Sequence, residues 1–258
     1  MSDHYVIGLD FGTNSARAII VNARNGEEIA GQVFEFPSGE KGVVLDARNP
    51  DLARQNPADY LEAVVATVQG ALRQAAATPG FSQDAVIGIG VDTTGSTPLP
   101  VDREGTPLAL LERFAGNPAA MAWLWKDHTG HAEAAEITAC AAKMRPQYLA
   151  KCGGAYSSEW FWSKILQCKR SAPEVFDAAY TWVEHADWMT GILTGTAHPD
   201  AMKRCICAAG HKAMFNPGWG GYPDAEFLNA VDPALGRVRA TLPDLAYTVA
   251  DAAGSLTA

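Results

Sequence analysis

The chain has 258 residues, of which 48% are hydrophobic and 19% charged, and its formal net charge is -9. This length and composition allow a sizeable core, in one large domain or two small ones. The acidic balance argues against a general nucleic-acid or anionic-membrane binder, because such surfaces are usually basic, but it allows a local basic pocket for a phosphorylated ligand. No run reaches the ~18 apolar residues that a membrane span needs, and we expect a cytoplasmic protein.

The five cysteines form no paired metal-ligand pattern. They lie at positions 140, 152, 168, 205 and 207, with no CxxC pair among them. Zinc ligation normally requires paired spacing, whereas reduced thiols are the rule in cytosolic proteins. The sequence therefore favours free thiols over a zinc site.

The first part of the chain predicts three antiparallel strands, a helix and a buried strand. YVIGLD and ARAIIVNA are strand-like, and an Asn-Gly turn in NARNGEE leads into EIAGQVFEF. Residues 57–76 have an amphipathic helical pattern, with Asn56 as cap and Pro57 at the first position. AVIGIGVD, residues 85–92, is a nearly continuous apolar run, which is typical of a strand covered on both faces.

The rest of the chain predicts mainly helices and loops. TPLPVDREGTPLAL favours a hairpin around Arg103-Glu104-Gly105, and residues 117–195 are mostly helical, with GNP and SAPE as helix starts. After residue 210 the many glycines and prolines predict loops. A mixed sheet followed by helices makes the expected fold class α/β.

The turn after the first strand combines a carboxylate with small polar residues. Asp10 ends an apolar strand, where a carboxylate is costly unless a charged or hydrogen-bonding group meets it. A glycine turn lets a ligand approach the backbone, so a phosphate is one candidate and a hydrated Mg²⁺ on Asp10 another. The candidate phosphate-binding residues are Gly12, Thr13, Asn14, Ser15 and Arg17. An ordinary hairpin whose aspartate caps the turn explains the same residues, and no P-loop motif occurs.

Five segments together resemble one enzyme family. DFGTNSAR resembles the first phosphate motif of the actin/hexokinase-type ATPase fold, in the form used by FGGY carbohydrate kinases. GVDTTGSTPLPVD, NPAAMAWLWKDHT, GGAYSSEWFWSKIL and CAAGHKAMF follow in the family's order, so the resemblance covers residues 8–221. It implies an RNase H-like α/β domain with a mixed sheet flanked by helices. It also implies an ATP- and Mg²⁺-dependent kinase that phosphorylates the 5-hydroxyl of L-ribulose in arabinose breakdown.

The resemblance also implies a domain organisation. Kinases of this family have two RNase H-like domains, and the second carries the adenosine site and a catalytic base, an aspartate in a segment of the type GAFDxHxG. No such segment occurs here. We therefore expect residues 1–258 to form the N-terminal domain, with the C-terminal ATP and catalytic-base domain outside this chain as its partner. The chain alone is then expected to have negligible kinase activity. The family also forms dimers, but the sequence identifies no interface.

By the same resemblance, three segments contribute to the sugar site. The tight TTGS loop follows a strand end, where α/β sheets bind ligands, and Trp and charged side chains suit sugar rings and hydroxyls. The implied sugar-binding residues are Gly95, Ser96, Trp125, Lys126, Asp127 and Lys212. Trp123 is expected in the core, and His128 is expected to be structural.

Two residues are assigned catalytic roles in this reading. Asp10 is expected to hold Mg²⁺ through water, and Lys212 to bond the sugar near the reacting hydroxyl and offset charge on the transferred phosphoryl group. Two alternatives stay open: a kinase of another pentulose or polyol, such as D-ribulose or ribitol, and a non-catalytic sugar-binding or actin-like assembly domain.

Overall fold

A computed structural model of the chain describes residues 3–257. Within these residues it contains two compact units, 3–44 with 55–94, and 45–54 with 95–257. Strands and helices are both present, as the α/β prediction requires. No helix within residues 3–257 is long and apolar enough to cross a membrane.

The first unit is built on a four-stranded mixed sheet and one helix. Its strands are β1 (Tyr5–Phe11), β2 (Ser15–Asn22), β3 (Glu28–Glu35) and β6 (Val86–Thr93), in the order β3-β2-β1-β6. The first three pair antiparallel, as predicted, and β6 runs parallel to β1. The alternating pattern of YVIGLDF puts Tyr5, Ile7, Leu9 and Phe11 on one buried face.

Helix α1 (Pro57–Ala75) confirms the predicted helix. Asn56 accepts a hydrogen bond from the N–H of Ala58, and proline occupies the first turn, where its missing N–H is not needed. The helix packs on β2 and β3. Tyr60 is fully buried and lies edge-on to Phe11 and Phe36, so this ring ties the helix to the end of β1.

The prediction that β6 is covered on both faces is wrong. Its residues alternate between half-buried and exposed, and Ile87 is 63% exposed. In the described sheet β6 lies at the edge, whereas α1 packs on the two strands at the opposite side. The glycines of IGIGVD made the run look continuous although Gly88 and Gly90 have no side chain to bury.

The second unit holds most of the helices and two small sheets. Strands β4 (Val44–Asp46), β5 (Asn49–Gln55) and β8 (Ala122–Trp123) form one sheet, although the end residues Val44 and Gln55 belong to the first unit, and β7 (Pro98–Val101) pairs antiparallel with β9 (Thr181–Glu184). The helices are α2 (His131–Met144), α3 (Pro146–Ala150), α4 (Phe161–Ser171), α5 (Pro173–Ala178), α6 (His185–Thr194), α7 (Ile206–Lys212), α8 (Ala225–Val231) and α9 (Pro233–Arg239). Their shared core is rich in aromatic rings, and Trp123 is buried in it, as predicted.

One local prediction for this unit is confirmed and another needs correction. A short hairpin forms around residues 103–105, as predicted, because Val101 bridges Pro107 antiparallel and the N–H of Asp102 donates to the carbonyl of Thr106 at 2.9 Å, while β7 also pairs with β9. The region after residue 210 contains α8 and α9 as well as loops. Asp224 and Asp232 cap these helices through the N–H groups of Phe227 and Ala234, and seven residues are too few for helical periodicity to stand out.

A buried ion pair fixes the segment that follows β8. Asp127 is completely buried and pairs with Arg54, whose guanidinium lies 3.5 Å above the centre of the Trp123 ring. The same carboxylate accepts hydrogen bonds from the N–H of Ala53 (2.8 Å) and the hydroxyl of Thr129 (2.6 Å). Every contact is made inside the protein, so loss of the carboxylate would leave a buried guanidinium without its charged partner.

We expect Asp127→Ala to lower the free energy of unfolding by about 3–5 kcal/mol, because it leaves Arg54 buried and unpaired. Urea unfolding of the purified chain measures this. Asp46→Ala is the matched control: it removes a pair with Arg48, whose side chain is 91% exposed, so water already screens the interaction and the loss should be much smaller. Equal losses in the two variants would contradict a stabilising role for the buried pair.

Stability should also depend on pH through His185, which is fully buried at the start of α6. Burial lowers the pKa of His185 to about 3 from the usual 6.5. Between these values the unfolded chain binds a proton that the folded chain does not, so stability falls as the pH falls. The loss is about 1.4 kcal/mol per pH unit below 6.5.

We therefore expect wild type to lose about 2 kcal/mol relative to His185→Gln between pH 6.5 and pH 5. Denaturant unfolding at each pH gives the difference, whose slope is independent of the fixed cost of the substitution. His198→Gln, at a half-exposed histidine, serves as the control and should run parallel to wild type. Parallel curves for His185→Gln would refute the assignment.

Candidate functional site

The turn between β1 and β2 is held from one side. The amide of Gln55 donates to the carbonyl oxygens of Gly12 (3.3 Å) and Thr13 (2.9 Å), and the Tyr60 hydroxyl donates to the Gln55 side-chain oxygen (2.7 Å). The carbonyl of Asn14 accepts from the N–H of Phe36. Three successive carbonyls of the turn are therefore engaged by protein donors.

This arrangement directs the backbone dipoles of the turn. In a trans peptide the N–H points opposite to the C=O of the same unit, so the N–H groups of Thr13 and Asn14 point away from Gln55. Successive outward N–H groups suit an anion. Sequence reasoning missed Gln55, because a glutamine 42 residues after Thr13 gives no local signal.

Two carboxylates and an arginine lie at the ends of neighbouring strands. Asp10 of β1 is in register with Asp92 of β6 and with Arg17 of β2. Arg17 donates to Asp10 at 2.8 Å, and because both side chains are about half exposed, this ion pair is weak and easily exchanged. These three residues line a cavity of about 600 Å³ within the first unit, together with Gly8 and Gly90.

Asp92 was missed as a candidate. The signal was present, because VIGLD and IGIGVD both end in aspartate, and parallel pairing brings such strand ends together. Oxygen donors of this kind fit Mg²⁺, which typically takes one or two carboxylates plus phosphates and water. The described residues contain no cluster of three or more His, Cys, Asp or Glu that would hold a metal by themselves.

Within the second unit, the structure brings Gly95 and Lys212 together. A Cβ atom placed at Gly95 would lie 3.5 Å from Cε of Lys212, so the lysine side chain passes over this glycine. Lys212 ends α7 and is half-buried, and its ammonium has no hydrogen bond or ion pair among the described residues. Its carbonyl accepts from the hydroxyl of Tyr156 at 2.6 Å, which anchors the backbone.

Ser96 has an unusual conformation next to this glycine. It is 1% exposed, its φ is 61°, and its hydroxyl has no hydrogen-bond partner in the described part of the chain. Left-handed backbone is unfavourable for a residue other than glycine. An unsatisfied buried hydroxyl and a strained backbone both mark a place where a ligand could supply the missing bond.

The three residues 125–127 differ in their exposure to solvent. Trp125 is 39% exposed and Lys126 half-buried, so both are accessible. Asp127 is fully buried with its oxygens committed to Arg54, Ala53 and Thr129, which disagrees with the expectation that it bonds sugar hydroxyls directly. His128 contacts the hydroxyl of Ser158 at 3.2 Å.

The chain is similar to curated ribulokinases over nearly all its length. That of Vibrio parahaemolyticus serotype O3:K6 is 45% identical over 253 residues, 98% of this chain and 44% of the relative. That of Shouchella clausii is 39% identical over 92% of this chain and 41% of the relative. The chain thus spans less than half the length of these relatives.

Solved structures support the fold. A xylulose kinase from Rhodospirillum rubrum superposes with a TM-score of 0.73 over 99% of this chain and 45% of its own, at 21% sequence identity. The family model described as "FGGY family of carbohydrate kinases, N-terminal domain" matches residues 5–253. This chain therefore belongs to the FGGY family of carbohydrate kinases.

Proposed function

We propose that this chain carries the sugar-binding and phosphate-binding residues of an ATP-dependent kinase that converts L-ribulose to L-ribulose 5-phosphate. The observation that carries the proposal is the 45% identity to a ribulokinase over 98% of the chain. The half-buried Lys212 beside Gly95 supports it, because an ammonium without a protein partner suits a polyhydroxylated substrate.

In this proposal the first unit binds the nucleotide phosphates. The outward N–H groups of the turn and the hydroxyls of Thr13 and Ser15 bind phosphate oxygens, with Arg17 adding positive charge. The Asn14 amide donates one N–H to the carbonyl of Lys41 at 2.6 Å and contributes its second N–H. Asp10 and Asp92 supply oxygens that would hold Mg²⁺, directly or through water. When bound, the ion neutralises part of the phosphate charge. Arg17 is free to turn to a phosphate because its pair with Asp10 is exposed.

The second unit binds the sugar in this proposal. Trp125 stacks on the carbon face of the ketose, Gly95 and Ser96 accommodate its hydroxyls, and Lys126 lies at the margin. Lys212 bonds the sugar near the reacting hydroxyl and stabilises charge that develops during transfer. Asp127 contributes indirectly, because it holds the guanidinium of Arg54 against the face of the Trp123 ring. The family resemblance assigns the proton-accepting aspartate to the C-terminal domain.

We expect the product of the complete reading frame that encodes this chain to phosphorylate L-ribulose in a coupled ADP-release assay with Mg²⁺-ATP. Its kcat/KM should exceed that for D-ribulose, ribitol and D-xylulose by at least about tenfold, since a site built for one hydroxyl pattern leaves polar groups unpaired with another. A preference for another of these substrates would reassign the kinase. Absence of turnover on all four would favour a non-catalytic binding or assembly domain.

The same assay on the 258-residue chain alone should give negligible turnover, because the proposed base is supplied by another domain. Direct sugar binding to this chain should remain measurable by calorimetry, though weak. Turnover of the isolated chain at the rate of ordinary kinases, ~1–100 s⁻¹, would overturn the proposed division of labour.

Lys212→Met should lower kcat/KM for L-ribulose by about 10²-fold, because it removes a positive charge from the site of phosphoryl transfer while nearly keeping the side-chain volume. Lys143→Met, at an exposed lysine of α2, is the matched control and should leave activity unchanged. If both variants behave alike, Lys212 has no part in the site.

A further inference from the structure

A buried lysine outside the predicted site connects two of its segments. Lys164 of α4 is fully buried, and its ammonium donates to the carbonyl oxygens of Ser96 (2.7 Å), Trp123 (3.1 Å) and Leu124 (2.8 Å). An ammonium has three donors, and all three are used. One side chain therefore holds the turn of residues 95–96 and the strand end that precedes Trp125.

A buried glutamate binds the opposite end of the peptide group between Ser96 and Thr97. Oε2 of Glu184, at the end of β9, accepts from the N–H of Thr97 at 2.9 Å. The Thr97 N–H and the Ser96 C=O belong to one peptide group, so Lys164 and Glu184 hold that group at both ends. Opposite charges are matched to the two poles of the peptide dipole.

The peptide group that Lys164 and Glu184 hold begins at Ser96, the strained residue of the candidate site. Ser96 has a φ of 61°, a conformation that costs about 1–2 kcal/mol for an L-residue. Such strain persists only where surrounding contacts over-determine the backbone. The bonds from Lys164 and Glu184 supply that constraint, and they set where Gly95 lies under the Lys212 side chain.

This pair brings two charges into the interior. Burial lowers the pKa of Lys164 well below its usual value and raises the pKa of Glu184 to about 7, because desolvation disfavours both charged forms. An apolar side chain in place of Lys164 would avoid that cost but would leave three buried carbonyls without donors. What the two charges add is a defined position for two backbone segments.

We propose that Lys164 and Glu184 are positioning residues, which fix the turn of residues 95–96 and the segment of residues 123–125 as two walls of the sugar site. The proposal rests on the proposed sugar-kinase function for its catalytic consequence. Neither residue needs to touch the sugar, because both act through backbone that they hold.

The kinetic test uses the product of the complete reading frame. In Lys164→Met the KM for L-ribulose should rise about tenfold or more, whereas the KM for ATP should stay within about twofold, since small displacements of binding groups cost much in a site. Lys164→Arg keeps the charge and should recover part of the loss. Lys169→Met, on the same helix and half-exposed in its pair with Asp232, should change neither constant. An unchanged KM for L-ribulose in a folded Lys164→Met protein would overturn the proposal.

Glu184→Gln covers the case in which Lys164→Met does not fold. It keeps the volume and removes the charge, and it should raise the KM for L-ribulose by a few fold, on the order of 3. Glu174→Gln, at an exposed position of α5, is its control. Equal sugar KM values in Glu184→Gln and Glu174→Gln would count against the pair.

A second measurement does not depend on the reaction. Hydrogen exchange followed by mass spectrometry should show amides in residues 95–97 and 123–125 exchanging faster together, by about tenfold, in Lys164→Met or Glu184→Gln, with α1 unchanged. If wild type phosphorylates no sugar, the proposed function fails, but the exchange measurement still tests whether Lys164 and Glu184 fix the two backbone segments. Unchanged exchange in both segments would refute that positioning role.

Discussion

The structure of the second unit depends on a rule that buried polar groups must be satisfied. The ammonium of Lys164 provides hydrogen-bond donors to three buried carbonyls, which come from two distant parts of the chain. Ser96 lies in the connection between β6 and β7, and Trp123 and Leu124 lie at the end of β8, so their carbonyls would be buried without these donors. A single long side chain from α4 supplies the donors, and in doing so it fixes the two segments relative to each other.

The first unit solves the corresponding problem with neutral groups. Gln55 binds two carbonyls of the turn and is itself oriented by Tyr60, whose ring is packed between Phe11 and Phe36. The packing of α1 on the sheet is thereby linked to the direction of the N–H groups in the turn. This link favours the anion binding that we propose for the turn. The N–H donors are oriented before the ligand arrives, so little conformational entropy is lost on binding.

The sequence predicted what depends on local pattern. Three antiparallel strands, α1 with its Asn56 cap and the burial of Trp123 follow from alternation, capping and residue type, and all were found. The exposure of β6 could not be foreseen, because a run containing Gly88 and Gly90 has the same letters whether or not a helix covers it. The role of Lys164 in SSEWFWSKIL has no local signal, since the three carbonyls that it binds lie 40, 41 and 68 residues away. Asp127 was predicted to bind the sugar because aspartate often bonds sugar hydroxyls. Its ion pair with Arg54 depends on the tertiary structure, which the sequence pattern does not show.

The family resemblance predicts Lys212 and Gly95 as sugar-binding residues, and neither residue type makes that prediction by itself. A Cβ atom on residue 95 would lie 3.5 Å from Cε of Lys212, which is ordinary van der Waals contact, so alanine would fit under the lysine but a longer side chain would meet it. A larger side chain at position 95 would compete for that space, so the identity of residue 95 and the reach of Lys212 are not independent. The buried charges around them are costly to desolvate, but they satisfy backbone groups that an apolar core would leave without partners. Their value lies in holding backbone that carries no side-chain information of its own, which is why the shape of this site is set by residues that need never meet the substrate.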